Sequence, residues 1–341
     1  MFSILINSIM LRFVKTLGIR NDKETVIRWS SQVKPSLGGL TFYIIFLLSI
    51  IFHSFILSYN GSSIDFRFTG IVAATSLGFL MGLADDAYNT RPVLKFLTQV
   101  LCGAILIYSG TFIEFFDNDL LNYGLTVLWV VGLMNSINML DNMDSITSIV
   151  SIVVCFTILI LMLVGGEPDS VGMTIVVGLL AALLGFLYFN WNPAKMYMGD
   201  TGSQYLGVLL AALSISYLWN PITTAEVSVS RQFLIPLLTF IVPIVDTTVV
   251  TIKRLSKGNS PFVGGKDHTT HHLSYLGFSE KQVAAIVALI SIVSSAIAIY
   301  IITSITVWSH LYSAIFFSYF LMVFGILFYI AKMNIKKSED D

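Results

Sequence analysis

The sequence predicts an all-α, polytopic integral membrane protein of about eleven transmembrane helices. Only 11% of the 341 residues are charged, whereas a soluble domain carries about 25%. Hydrophobic residues make up 55% of the chain, and the mean hydropathy is +0.82. So few charges cannot cover a water-exposed surface, which excludes an ordinary soluble enzyme, a disordered chain and a nucleic-acid-binding protein.

Apolar runs close to the ~20 residues that cross a bilayer recur along the whole chain. Most are hydrophobic on every face, as expected of helices inside a membrane. The first run is the weakest because Arg12 interrupts it. We interpret it as a short or tilted helix, or as one whose start lies upstream. The predicted spans are 1–17, 38–58, 68–84, 93–110, 122–140, 146–165, 171–189, 203–219, 232–251, 283–304 and 311–331.

The distribution of Lys and Arg predicts which side faces the cytoplasm. With eleven spans, all but two of the 19 basic residues lie on or beside loops of one side, and the exceptions are Arg67 and Arg231. Basic residues are enriched in cytoplasmic loops, so this side is predicted to be cytoplasmic. It holds the long loop 252–282 and the polar tail 332–341, which we expect to be disordered. No soluble domain is indicated, and residues 1–341 form a single membrane-embedded domain.

Acidic residues gather at the cytoplasmic ends of the predicted spans. Charge at the edge of the hydrocarbon layer is costly unless it is compensated. Carboxylates brought together by several helices commonly hold a cation, and Mg²⁺ prefers oxygen ligands together with phosphate. The sequence therefore predicts a Mg²⁺ and phosphate site built around Asp85, Asp86, Asp141, Asp144 and Asp200.

Two local patterns support this site. Glycines flank the aspartate in Met198-Gly-Asp-Thr-Gly-Ser203, and glycine allows a close approach of the backbone to a bound anion or cation. The second pattern is a polar stripe on an otherwise apolar helix, formed by Asn135, Asn138, Asp141 and Asp144.

Asp246 lies inside the predicted ninth span. Both a structural hydrogen bond and a functional role are open for this residue.

The segment Asp267-His-Thr-Thr-His-His272 adds a histidine cluster to the same side. Its spacing predicts that His268 and His272 meet on one helical face. No cysteine lies near, so phosphate contact or proton handling suits the cluster better than zinc. The remaining histidines and the two cysteines are interpreted as structural, namely His53, His310, Cys102 and Cys155.

Six segments, in a fixed order between about Lys34 and Gly277, resemble one family, the polyprenyl-phosphate N-acetylhexosamine-1-phosphate transferases of the glycosyltransferase 4 type. Members of this family start bacterial O-antigen, enterobacterial common antigen, teichoic acid and peptidoglycan lipid synthesis. The matching segments are Lys34-Pro-Ser-Leu-Gly-Gly39, Asp85-Asp86 with Lys95-Phe-Leu-Thr-Gln99, Asn138-Met-Leu-Asp-Asn-Met-Asp144, residues 189–203, Pro243-Ile-Val-Asp-Thr247 and the histidine segment.

The resemblance implies a reaction and a setting. An N-acetylhexosamine-1-phosphate, with GlcNAc-1-phosphate as first choice, passes from a UDP-sugar to polyprenyl (undecaprenyl) phosphate, and UMP is released. The enzyme lies in the bacterial cytoplasmic (inner) membrane, and its active-site cleft faces the cytoplasm. The resemblance allows a homodimer, and no nucleic acid takes part.

The resemblance also implies roles for individual residues. Asp200 is the expected Mg²⁺ ligand, with Mn²⁺ as the second choice of ion. The residues expected in catalysis are Asp85, Asp86, Lys95, His271 and His272. Those expected to bind substrate are Lys34, Asn138, Asp141, Asp144, Asn190, Tyr197 and His268.

Two departures and two rival functions accompany this prediction. Asn142 and Ser145 stand where the family pattern has glycine, which leaves the backbone of that turn open, and the His-x-x-His-His spacing departs from His-x-His-His at His268. The rivals are a secondary transporter with an acidic site on the cytoplasmic side and a CDP-alcohol-type lipid phosphotransferase. Direct attack by the lipid phosphate and a covalent aspartyl intermediate also remain open.

Overall fold

The computed structural model describes residues 2–17, 34–57, 65–165, 170–220, 228–260 and 265–339. Within these ranges the secondary structure is helical, apart from turns and one isolated parallel bridge between Ser36 and Tyr197. The predicted all-α class is therefore confirmed. The basic residues predicted in the first cytoplasmic loop, Arg20, Lys23 and Arg28, lie outside the described residues.

The described part of the chain contains thirteen α-helices. Two of them, α2 and α8, continue into short π-helical turns, His53–Leu57 and Ile215–Trp219. In chain order, α1 to α13 are Phe2–Leu17, Gly38–Phe52, Phe66–Tyr88, Pro92–Tyr108, Asp119–Leu140, Ile146–Val164, Ser170–Asn190, Gly199–Ser214, Val229–Thr239, Ile241–Ser256, Thr269–Tyr275, Glu280–Thr303 and His310–Glu339.

The protein is a multi-pass membrane protein. Among the described residues, seven helices are long and apolar enough to cross a bilayer, and the number rises to eight if α9 and α10 form one bent span. Each of the eleven predicted apolar runs falls on helix where it is described. However, α1 and α4 are shorter than a full span, and α8 is not among the helices counted as spans. The predicted count of eleven spans is therefore not confirmed.

The predicted ninth span is not one continuous helix. It consists of α9 and α10, which meet at Phe240 with a bend of 83°. Pro236 lies inside α9 and has no backbone N–H to donate. Pro243 lies in the first turn of α10, where a helix needs no N–H from that position. Two prolines therefore end one helix and begin the next within a stretch that hydropathy alone assigns to a single span.

Helix α8 forms the centre of the bundle. Every residue of α8 except Asp200 is buried, and the helix packs mainly against α3 and α5. A Cβ atom at Gly82 of α3 would overlap the backbone of Asp200, and one at Gly39 of α2 would overlap Gly202. Small residues let membrane helices approach closely, so the first turn of α8 is held tightly between its neighbours.

The predicted cytoplasmic residues that the structure describes share one end of the bundle, which we call the site end. There the C-termini of α3, α5, α7 and α10 lie beside the N-termini of α4, α6 and α8. Arg67 begins α3 at the opposite end, where buried Arg231 donates hydrogen bonds of 3.0 Å to the carbonyl oxygens of Ile301 and Ile305. The predicted disorder of the tail is wrong as far as Glu339, because α13 continues to that residue.

Candidate active site

Asp85 lies in the last turn of α3 and is buried. Its Oδ1 accepts hydrogen bonds from the backbone N–H of Thr90 at 2.8 Å and from the Thr90 hydroxyl at 2.6 Å. Its Oδ2 forms an ion pair with the ammonium group of Lys95. Asn89 ends α3 with a left-handed φ of 50°, which turns the chain towards α4. This short turn therefore brings the carboxylate and the ammonium group together.

Asp200 completes a three-helix cluster with Lys95 and Asn138. Lys95 Nζ lies 3.3 Å from Asp200 Oδ2, and Asn138 Nδ2 donates to Asp200 Oδ1 at 2.6 Å. The Asn138 amide also donates to the hydroxyl of Ser203 at 2.8 Å. Two carboxylates on different helices, Asp85 and Asp200, thus share one ammonium group. The Asp200 side chain is 34% exposed, so one face of it remains open to a ligand.

Asp86 has a different set of partners from Asp85. Its Oδ1 accepts the N–H of Asp200 at 3.0 Å, and its Oδ2 accepts the N–H and the hydroxyl of Thr201 at 2.9 and 2.6 Å. These N–H groups belong to the first turn of α8, which has no intrahelical acceptors for them. Gly199 precedes them with φ +72° and lies against the Asp86 carboxylate. Asp86 therefore caps α8 and fixes the backbone that carries Asp200.

The donors around Asp200 fit a hard cation. They are carboxylate oxygens, which Mg²⁺ prefers over nitrogen or sulfur, whereas the Asn138 amide presents its nitrogen to Asp200. Within the described ranges, no group of three or more His, Cys, Asp or Glu side chains is arranged to hold a metal ion. Mg²⁺ commonly uses one or two protein carboxylates and takes its remaining ligands from water and substrate phosphates. Asp200 suits that mode of binding, and its role as a metal ligand stays a prediction.

A second cluster lies between the α5–α6 and α7–α8 connections. Asp144 Oδ2 accepts the backbone N–H of Ala194 at 2.8 Å and the side-chain amide of Asn192 at 3.2 Å. Lys34 Nζ lies 3.8 Å from the same oxygen and 5.2 Å from the centre of the Tyr197 ring. The predicted substrate residues Lys34, Asp144 and Tyr197 therefore form one group, whereas sequence reasoning missed Asn192.

Asn190 is buried among backbone groups. Its Oδ1 accepts the N–H of Ser145 and the hydroxyl of Ser148, each at 3.0 Å, and its Nδ2 donates to the Met196 carbonyl at 3.0 Å. Ser145 has φ +66°, the left-handed conformation that glycine adopts at no steric cost. The backbone of this turn therefore has the geometry that suits glycine, although serine occupies the position. Asn190 holds two turns together, and a substrate contact for it stays a prediction.

Asp141 and Asn142 join the stripe on α5 to the histidine segment. The backbone N–H of Asp141 donates to the carbonyl of Asn138 at 3.3 Å, so the two residues share the last turn of the helix. Asn142 Oδ1 accepts the hydroxyl of Thr270 at 2.7 Å. The sequence marked Asn142 only as a departure from a family pattern, whereas the structure gives it a bridging contact.

Asp246 anchors the start of α11. Its Oδ2 lies 2.8 Å from His268 Nδ1, and its Oδ1 accepts the N–H and the hydroxyl of Thr269 at 2.8 and 2.6 Å. Asp246 and His268 are both buried. Of the two roles that the sequence left open for Asp246, the structure therefore shows the hydrogen-bonding one.

His271 and His272 are buried in α11, with 2% and 5% of their surfaces exposed. Burial lowers the pKa of both side chains to about 4, aided by His268 in the first case and by Lys253 in the second. Both imidazoles are therefore neutral at pH 7. The ring of His268 lies edge-on to His271, with 5.4 Å between centroids, and His272 Nε2 contacts Lys253 Nζ. His268 and His272 lie one helical turn apart, and the N–H of His272 donates to the His268 carbonyl at 3.0 Å, in line with the predicted shared helical face.

Arg254 fixes the other end of the histidine segment. Its guanidinium group donates to both carboxylate oxygens of Asp267, at 2.9 and 2.6 Å. Burial alone would raise the pKa of Asp267, but the hydrogen bonds and charge of Arg254 outweigh it and lower that pKa. In the sequence, Lys253 and Arg254 counted only as cytoplasmic charges, so neither contact was anticipated.

Residues 68–218 match the family model described as glycosyl transferase family 4. The match agrees with the predicted family over these residues. This family 4 region contains the whole cluster of Asp85, Asp86, Lys95, Asn138 and Asp200. Lys34 and the histidine segment lie outside it.

Curated relatives extend the similarity beyond the family 4 region. A Bacillus subtilis protein described as a probable undecaprenyl-phosphate N-acetylglucosaminyl 1-phosphate transferase is 29% identical over 91% of this chain and 86% of its own length. The decaprenyl-phosphate N-acetylglucosaminephosphotransferase of Mycolicibacterium smegmatis is 26% identical over 76% of this chain and 69% of its own. A phospho-N-acetylmuramoyl-pentapeptide-transferase of Streptococcus thermophilus is 26% identical over 60% of this chain and 65% of its own.

Proposed function

We propose that this protein transfers N-acetylhexosamine-1-phosphate from a UDP-sugar to polyprenyl phosphate and releases UMP. GlcNAc-1-phosphate and undecaprenyl phosphate are the first choices of group and acceptor. The single observation that carries the proposal is the ammonium group of Lys95 held between the carboxylates of Asp85 and Asp200. The names of the relatives, which combine a polyprenyl phosphate with an N-acetylated sugar phosphate, support the same pair of substrates.

The charges of the cluster suit a reaction between two anions. A sugar diphosphate and a lipid phosphate repel each other, so the site must supply positive charge where they meet. Lys95 provides one such charge. The positive end of the α8 dipole, whose first-turn N–H groups of Asp200 and Thr201 are held by Asp86, lies at the same place. Mg²⁺ bound at Asp200 would neutralise diphosphate charge and stabilise the departing UMP.

Three other side chains position the groups of the cluster. Asp86 holds the first turn of α8, Asp85 holds Lys95, and Asn138 orients the Asp200 carboxylate. The acceptor needs little activation, because a phosphate monoester is already largely ionised near neutral pH. Its oxygen attacks the β-phosphorus of the UDP-sugar, and the bond from that phosphorus to the bridging oxygen breaks as UMP leaves. The net bonds formed and broken are the same if an aspartate first accepts the sugar phosphate and then transfers it to the lipid phosphate.

The membrane location follows from the acceptor. A polyprenyl phosphate keeps its chain in the bilayer, so the enzyme must meet the phosphate at the membrane surface. We assign the site end to the cytoplasmic face of the bacterial inner membrane, because the two exceptional basic residues, Arg67 and Arg231, lie at the opposite end.

The proposed function is tested with purified protein, UDP-GlcNAc, undecaprenyl phosphate and Mg²⁺. We expect UMP release that requires both the lipid phosphate and the metal ion, and that stops when EDTA is added. Lys95→Ala should abolish release, whereas Lys257→Ala, which removes an exposed lysine of the same end, should not. A panel of other UDP-sugars identifies the sugar. Uptake of a substrate into proteoliposomes without UMP release would support a transporter and overturn the proposal.

A further inference from the structure

Three amide side chains lie one helical turn deeper in the bundle than the charged cluster. Lys95, Asn138 and Asp200 are carried by α4, α5 and α8 respectively. Each of these helices carries a second polar residue three or four positions away, on the same face. These residues are Gln99, Asn135 and Gln204.

The three amides bind one another across the three helices. Gln99 Nε2 donates to Asn135 Oδ1 at 3.3 Å and to Gln204 Oε1 at 3.1 Å, and Asn135 Nδ2 donates back to Gln99 Oε1 at 2.8 Å. Asn135 Nδ2 also donates to the carbonyl of Val131 at 2.8 Å. Gln99 and Gln204 are each 1% exposed. Two of the three amides are therefore internal to the protein, and Asn135 is half-buried.

Helix association alone does not require such a network. Hydrogen bonds between membrane helices contribute only modestly to their association, and apolar side chains of similar size hold helices together about as well. Apolar contacts, however, tolerate sliding along the helix axes, whereas hydrogen bonds between amides are directional. A set of amides joined through Gln99 selects one axial register among three helices.

We propose that Gln99, Asn135 and Gln204 are positioning residues that set the register of α4, α5 and α8, and with it the spacing of Lys95, Asn138 and Asp200. This inference rests on the proposed function, since it assigns the amides to the reaction of that site. The contacts of the charged cluster join the same three helices. They are Lys95 to Asp200 at 3.3 Å and Asn138 to Asp200 at 2.6 Å. A slide of α8 by a fraction of a turn breaks both contacts, and a slide of α4 or α5 breaks one of them.

The test removes the whole network at once, with the substitutions Gln99→Met, Asn135→Leu and Gln204→Met in one protein. Removing every partner together leaves no network amide unsatisfied, so the thermal unfolding midpoint in detergent should stay close to that of the wild type. The rate constant kcat for UMP release should fall about 100-fold, because an error of about 1 Å in the placement of reacting groups has that effect. The KM for the UDP-sugar should change far less than kcat.

A matched control uses another hydrogen bond between two of these helices, α5 and α8. Trp129 Nε1 on α5 donates to Ser214 Oγ on α8 at 2.8 Å, near the end of the α5–α8 contact that is far from the site end. Ser214→Ala removes this hydrogen bond and should leave kcat unchanged. The exchanged pair Gln99→Asn with Asn135→Gln keeps two facing amides and should retain more activity than Gln99→Met alone. A wild-type kcat in the triple variant, or an equal loss in Ser214→Ala, would overturn the inference.

A second readout does not depend on turnover. The backbone N–H groups of Asp200 and Thr201 are bonded to Asp86, so their hydrogen exchange reports the position of α8. We expect at least about tenfold faster exchange there in the triple variant and unchanged exchange in Ser214→Ala. Faster exchange in a protein whose wild type releases no UMP would contradict the proposed function alone. Unchanged exchange in an active enzyme would contradict the positioning role alone.

Discussion

Asp86 caps helix α8 through Thr201. The Thr201 backbone N–H and hydroxyl donate to Asp86 Oδ2 at 2.9 and 2.6 Å. The neighbouring acid, Asp85, faces Lys95 instead. Two aspartates that are adjacent in sequence therefore have separate tasks: one orients a helix terminus, and the other holds a charged side chain in the site.

Replacing Asp86 should affect both stability and activity. Asp86→Ala removes the acceptor for two backbone N–H groups and one hydroxyl, and loss of a cap lowers the free energy of unfolding by about 1–2 kcal/mol. Activity should fall as well, because the Asp200 backbone loses its support. Thr201→Val removes only the hydroxyl and should show a smaller change of both kinds. The measurements are thermal unfolding in detergent and the rate of UMP release.

The cap assignment also predicts a difference between the two acids. Asp86→Ser keeps a capping oxygen and should recover part of the unfolding free energy that Asp86→Ala loses. The same serine at position 85 should recover less, because it can keep only the Thr90 hydrogen bonds and the Lys95 ion pair requires a charged partner. Equal behaviour of the two serine variants would show that Asp86 does not act as a cap.

Lys95 balances two carboxylates, so its removal should be harmful beyond the loss of one charge. Lys95→Met leaves Asp85 and Asp200 close together without a cation, which should lower the unfolding free energy by about 1–3 kcal/mol. This is less than for a fully buried pair, because Lys95 is 26% exposed and solvent screens its charge. UMP release should be lost.

A double variant separates stability from function at this position. Lys95→Met with Asp85→Asn removes one positive and one negative charge, and should regain most of the lost unfolding free energy while remaining inactive. Thermal unfolding of the single and double variants provides the double-mutant cycle. Full activity in the double variant would contradict the proposed role of Lys95 in neutralising phosphate.

Ser145 occupies a left-handed backbone position and should respond specifically to glycine. Ser145→Gly and Ser145→Ala both remove the hydroxyl that donates to the Asp144 carbonyl at 2.6 Å. Only glycine relieves the conformation at φ +66°. The glycine variant should therefore be more stable than the alanine variant by about 1–2 kcal/mol. Thermal unfolding of the two proteins measures the difference, and equal midpoints would exclude strain at this turn.

The sequence predicts the location of the acidic residues well, for a physical reason. Asp85 and Asp200 lie at the ends of hydrophobic segments, and charged residues of a membrane protein are placed at such boundaries. The all-α class can also be predicted from the sequence, because the bilayer allows hardly any other backbone structure. The 83° bend at Phe240 could not be predicted, because membrane helices tolerate proline and hydropathy is insensitive to direction.

The partners of these residues could not be predicted from sequence. Asp86 and Thr201 are separated by 115 positions, and their contact depends on how α3 and α8 pack. Gln99 and Gln204, taken one at a time, are ordinary polar residues within apolar runs, and only the packing of three helices makes them a network. Local pattern therefore predicts which residues are placed near the site, whereas tertiary packing decides what each of them does.

Acidification should loosen the histidine segment. The pKa of His271 and of His272 is lowered from the ordinary value of 6.5 to about 4, chiefly by burial. A lowered pKa in the folded state means that protonation favours the opened state. The contribution to stability is therefore complete above pH 6.5 and is lost as the pH falls towards 4. Limited proteolysis within residues 265–277 across this range should show increasing cleavage.

Neighbouring charges determine the pH range over which the histidine segment opens. Lys253 opposes a proton on His272, whereas Asp246 and Asp267 favour one. Because the pKa of Asp267 is itself lowered, its bond to Arg254 is lost only at lower pH than the histidine effect. The double variant His271→Gln with His272→Gln should therefore flatten the cleavage profile between pH 6.5 and 4, while His310→Gln, at the far end of the protein, should leave it unchanged. An identical profile in the double variant and the wild type would mean that other groups control the opening.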